Sequence, residues 1–110
     1  MTNYVLTINS DKENYSKITD ALQVIPSNVK SFWEFSIDEE NKLYTTAIAY
    51  FMDLIESNMK KLNDLGIKKE HISVWFYKPY KEQCNMEFSP QEMKRLADNG
   101  IVLCISCWEV

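Results

Sequence analysis

The sequence predicts an α+β fold: a two-layer sandwich in which about five mostly antiparallel strands form one sheet and three helices lie on one of its faces, in the order β-α-β-α-β-β-α-β. Three observations predict it. Stretches in which apolar residues alternate take turns with stretches in which they recur every three or four residues. Clusters of charge, Pro and Gly separate them. The 110 residues are 45% apolar and 13% aromatic with only two glycines and three prolines, which suits one packed core without a flexible linker. Residues 1–110 therefore read as a single domain.

The first strand is "NYVLTIN", with Tyr4, Leu6 and Ile8 on one side and Asn3, Thr7 and Asn9 on the other. "SDKE" follows as a capping box between Ser10 and Glu13. Tyr15, Ile18, Leu22 and Ile25 then recur at helical spacing until Pro26 stops the helix. "SFWEFSID" alternates again and turns Trp33, Phe35 and Ile37 to the core. The longest helix runs from Tyr44 to about Leu65, with a stripe of Tyr44, Ile48, Phe51, Ile55 and Leu62. Its outer face carries Asp53, Glu56, Lys60 and Asp64, and Glu56 and Lys60 are spaced to pair. Gly66 ends it. "HISVWFYK" and "QCNMEF" are a strand pair joined as a hairpin through "PYKE". In "SPQEMKRLADNG", Ser89 caps, Pro90 opens, Glu92 closes the box and Gly100 ends a third helix. "IVLCISCW" is the last strand. Right-handed crossovers place the helices together, in the manner of ferredoxin-like folds.

All three cysteines lie near the C-terminal end, at Cys84, Cys104 and Cys107. "CISC" has the spacing of a metal or redox pair, but such pairs sit on turns or helix starts. Within a strand, residues three apart point to opposite faces. Cys104 and Cys107 therefore read as packing residues, with Cys107 following Ile101, Leu103 and Ile105 toward the helices. His71 is the sole histidine and reads as a solvated turn residue. No cofactor and no metal is expected.

The same alternation assigns the side of the sheet away from the helices. It should carry Val5, Thr7, Phe32, Glu34, Ser36, Ser73, Trp75 and Tyr77, then Asn85, Glu87, Val102, Cys104, Ser106 and Trp108. A plain solvated face holds more Thr, Lys and Glu and fewer Trp. Cross-strand stabilisation is one reading of these aromatics. A protein-recognition surface is another, since Trp and Tyr among a few polar groups characterise interfaces. A third is a small-molecule site using Glu34, Glu87 and Asn85.

There are 12 basic and 16 acidic residues, for a net charge of −4. That argues against nucleic acid, which needs a basic surface. No run of apolar residues is long enough for a membrane span, and "MTNYVLTINSD" lacks the features of a signal peptide, so a cytoplasmic location is expected. No phosphate-binding glycine loop, nucleophile elbow or zinc helix motif occurs.

The last third, "GIKKEHISVWFYKPYKEQCNMEFSPQEMKRLADNGIVLCISCWE", resembles a family of small uncharacterised bacterial α+β domains. The shared pattern is a strand, "Q-C-N-M-E-F-S-P", a capped helix, "L-x-x-x-G-I" and a final strand. The resemblance implies a fold and no catalytic residues. In size and acidity the chain is also similar to immunity proteins of contact-dependent growth inhibition systems. That likeness implies a non-enzymatic protein that neutralises a toxin domain, with an acidic surface suited to a basic nuclease. The candidate contact residues are Glu34, Asp38, Glu39, Glu40, Trp75, Tyr77, Glu87 and Trp108. A ligand-binding protein or enzyme, and a homodimer built through the aromatic face, are the alternatives.

Overall fold

The computed structural model describes residues 3–38 and 46–110. Tyr44, Glu39 and Glu40 lie outside them. The elements are β1 (Asn3–Ile8), α1 (Tyr15–Leu22), β2 (Trp33–Asp38), α2 (Ala47–Asp64), β3 (Ile72–Tyr80), α3 (Pro90–Asn99) and β4 (Val102–Glu109). Short 3-10 turns at Lys12–Asn14 and Lys69–His71 lead into α1 and β3. The sheet order is β2-β1-β3-β4. β1 pairs antiparallel with both β2 and β3, and β4 runs parallel to β3.

The sheet has four strands, not five. In residues 83–88 the expected alternation is present, with Cys84, Met86 and Phe88 half-buried between exposed Gln83, Asn85 and Glu87. Both neighbouring places beside β3 are taken, by β1 and by β4. The segment therefore finds no ladder and serves as the first half of the crossover to β4. Phe88 still reaches the core and packs edge-on against Phe76, with centroids 5.8 Å apart. β3 also continues through "PYKE" to Tyr80, and the turn falls at Glu82, which has φ 62°.

All three helices cover one face. Leu6, Ile8, Trp33, Ile37, Ile72 and Val74 of the sheet share one buried cluster with Ile18 and Leu22 of α1, Ile48, Phe51, Ile55 and Leu62 of α2, and Leu96 of α3. Trp33 is fully buried and its indole N–H donates to Thr19 Oγ1 at 3.1 Å, so its polar atom is satisfied.

The helix ends follow their capping chemistry. Thr46 Oγ1 accepts from the Ala49 amide at 3.0 Å and starts α2. Ser89 Oγ accepts from the Glu92 amide while Glu92 Oε1 accepts from the Ser89 amide, each at 3.1 Å. Gly66 and Gly100, at φ 81° and 67°, turn the chain after α2 and α3. In both cases the next residue's amide bonds back to a leucine carbonyl, Ile67 to Leu62 and Ile101 to Leu96.

Three local expectations are corrected. Ile25 is 84% exposed. The residue before Pro26 is pushed out of helical geometry, and Gln23 already ends α1 in the left-handed region at φ 58°. Ser10 and Glu13 form no capping box. The 3-10 turn places Ser10 a turn too early, where its Oγ accepts from Asn14 Nδ2. Glu56 pairs with Arg95 of α3, which carries Asp53 as well, both at 2.8 Å. Asn99 Nδ2 also donates to Glu56 at 2.8 Å. These hydrogen bonds, Arg95's first, hold the Glu56 carboxyl below the usual carboxylate range.

No helix among the described residues is long and apolar enough to cross a membrane.

Candidate functional site

The ladder registers lay out the helix-free face row by row. One row holds Glu34, Thr7, Ser73 and Val102. The next holds Ser36, Val5, Trp75 and Cys104, and the third holds Asp38, Asn3, Tyr77 and Ser106. Trp108 stands a further row out, opposite Pro79 and beyond the end of β1. The face is acidic toward β2 and aromatic toward β3.

Trp75 and Tyr77 project from the same side of β3 and stack, with centroids 5.7 Å apart and planes 12° from parallel. With Phe32, Glu34, Thr7 and Ser73 they line an open depression of about 310 Å³. Asn9, Glu70 and His71 line it too, and among the described residues no lysine or arginine does. Burial, then repulsion from the Glu34 carboxylate, then the Cys104 sulfur hold the Tyr77 phenol above its ordinary pKa. Tyr77 is therefore neutral and a hydrogen-bond donor at physiological pH.

Thr7 is the unexpected member. It is 7% exposed, and its hydroxyl makes no hydrogen bond to any described residue. Across the ladder it faces Glu34 on one side and Ser73 on the other. A polar atom buried this way in a strand interior is uncommon, and it lies against the depression. Alternation pointed to Thr7 as part of this face. Only three dimensions reveal that its hydroxyl is orphaned.

His71 closes the Lys69–His71 turn, as expected, and is half-buried on the rim of the depression. Its Nδ1 accepts from the Lys68 amide at 3.0 Å. In the neutral ring the proton is thus on Nε2.

The structure brings Glu34, Trp75 and Tyr77 together and sets Asp38 in the Tyr77 row. Trp108 is separate and 44% exposed. Glu87 and Asn85 are on the other side of the sheet. They line a shallow hollow with Tyr4, Phe76 and Lys78, and Lys78 Nζ donates to the Asn85 carbonyl. The sheet therefore stands between Glu34 and Glu87, and these two carboxylates form no acid–base pair.

The sulfurs are divided as the strand geometry requires. Cys104 shares a row with Trp75, whereas Cys107 shares one with Lys78 on the opposite face. All three thiols are free. Among the described residues no three His, Cys, Asp or Glu side chains converge to hold a metal ion. Cys107 is on the helix side but exposed, so it is not the packing residue that its place in the alternation suggested.

No protein-family model matches the chain, and the comparisons with curated proteins and with solved structures found no match either.

Proposed function

We propose that this chain is a non-catalytic binding protein that engages a basic protein partner through its helix-free sheet face, and that the partner is a bacterial toxin domain which it neutralises. The observation that carries the reading is the depression itself: stacked Trp75 and Tyr77, Phe32 at 39% exposure, and Glu34, with no lysine or arginine lining it among the described residues. Arginine is the side chain that fits. Its guanidinium is planar, stacks on aromatic faces and offers five donors to a carboxylate and a hydroxyl. Glu34 supplies the charge and the neutral Tyr77 hydroxyl an acceptor. The net charge of −4 favours encounter with a basic surface.

The test is protection. If a toxin is encoded beside this gene, cells expressing it should survive when the chain is co-expressed, and Trp75→Ala should weaken the complex by about 30-fold or more, as expected of a central aromatic anchor. Death of cells that carry the intact chain rejects the toxin reading.

A second reading, a small planar ligand in the same depression, is favoured by the near-parallel Trp75 and Tyr77 rings. The site is open rather than enclosed, and about 310 Å³ lies at the small end of ligand pockets. Such a ligand would lie on the rings and leave Asp38 and Trp108 uninvolved.

A further inference from the structure

The two edges of the sheet are treated differently. Along β2, the chain covers its own edge. The Glu34 amide donates to the Asn28 carbonyl, the Ser27 and Asn28 amides donate to the Glu34 carbonyl, and the Ser36 amide donates to Ser27 Oγ. Along β4 no such cover exists among the described residues, because its sole ladder partner is β3. β4 is also bare on both faces. Val102 is 56% exposed and Trp108 44% exposed on the helix-free side, and Ile105 is 46% exposed on the helix side. Long, apolar, open edge strands pair with other strands unless something blocks them. β4 carries no lysine, no proline and no bulge, and its single charge, Glu109, stands at the very end.

We propose that β4 pairs antiparallel with β4 of a second copy, across a two-fold axis normal to the sheet. Such an axis keeps each copy's helices on the same side, so a residue must meet one from its own face. The register centred on Ile105 satisfies this along the strand. It sets Ile105 against itself and Leu103 against Cys107 on the helix side, and Val102 against Trp108 and Cys104 against Ser106 on the other. The one charged residue of β4, Glu109, falls opposite Ile101, just outside the other copy's strand. Centring one residue later would set Leu103 against Glu109, and centring one residue earlier would draw Gly100, the cap of α3, into the ladder. The self-complementarity of the strand, not merely its exposure, selects a second copy as the occupant. The outcome is one continuous eight-stranded sheet with two Trp75–Tyr77 depressions on one face. This pairing is independent of what those depressions bind.

Sedimentation equilibrium on the full chain, from about 1 to about 500 μM, tests it together with three variants, Ile105→Lys, Leu103→Cys and Trp75→Ala. The expected result is a dimer that dissociates on dilution. Ile105→Lys, which faces two ammonium groups across the axis, should weaken it about tenfold or more. Its circular dichroism should remain that of the parent, because Ile105 is half exposed in the single copy. Leu103→Cys should form an intermolecular disulfide that peptide mapping assigns to positions 103 and 107. A monomer throughout the range overturns the proposal. So does a dimer indifferent to Ile105→Lys, a dimer lost instead on Trp75→Ala, or a disulfide mapped to Cys84 or Cys104.

Discussion

Replacing Thr7 by valine should stabilise the fold and leave binding in the depression nearly unchanged. Thr7 lies mid-strand in β1, 7% exposed, with no hydrogen bond to its hydroxyl from any described residue. A buried hydroxyl left unsatisfied costs about 1–3 kcal/mol. Thr→Val is normally harmful in a core because it discards the hydroxyl's hydrogen bonds. At this position there is none to discard, and valine has the same shape and the stronger strand preference. Because the residue adjoins an open depression, the lower end applies, a gain of about 1 kcal/mol, or roughly 4–8 °C in Tm for a domain of this size. Urea unfolding followed by tryptophan fluorescence measures it, and an unchanged m value confirms that the change is in stability alone. Thr7→Ser, which keeps the hydroxyl and deletes a buried methyl, should lose about 1 kcal/mol. Binding of an arginine side chain should stay within about 2-fold of the parent in Thr7→Val, because the buried hydroxyl is out of a ligand's reach. A loss of more than about 0.5 kcal/mol in Thr7→Val would show that the hydroxyl is bonded within the fold and is no orphan.

Further expectations concern the helix layer and the thiols. Arg95→Met should lower stability near neutral pH by about 1 kcal/mol, the scale of a partly exposed multiple ion pair. Glu56 has a lowered folded-state pKa, so this contribution is full above the unfolded carboxylate value and disappears as pH falls through the folded one. Melts of parent and variant should accordingly converge in acid. Ser89→Ala removes the hydroxyl half of the α3 capping box and should cost about 1 kcal/mol, with amide exchange speeding up first in α3. Thiol labelling should modify Cys107 before Cys104, and zinc should leave both rates unchanged, since the two sulfurs are on opposite faces.

Much of this molecule was legible in its sequence because local rules and the final packing agree. Ser89, Pro90, Glu92 and Gly100 announce α3 through backbone chemistry that needs no tertiary partner. Strict alternation is enough to place Glu34, Trp75 and Tyr77 on one face and to part Cys104 from Cys107. What escaped depends on competition for partners. Residues 83–88 alternate as a strand does, yet β4 holds the place beside β3 that they would need, so Asn85 and Glu87 were assigned to the wrong side. Glu56 had a suitable neighbour in Lys60, but Arg95 approaches from another helix with a planar guanidinium and pairs with it instead. The orphaned hydroxyl of Thr7 has no sequence signature at all, since a threonine in a strand is among the most ordinary of residues.

The central claim is that the helix-free face receives an arginine side chain between Glu34 and the Trp75–Tyr77 stack. It is tested most directly by titrating the isotope-labelled chain with N-acetyl-arginine amide and following the tryptophan indole resonances, with Trp75→Phe assigning the relevant peak. A saturable shift at Trp75, abolished in Glu34→Gln and absent with the citrulline analogue, is the predicted result. Equal shifts from citrulline, or movement at Trp108 with Trp75 unmoved, would contradict it.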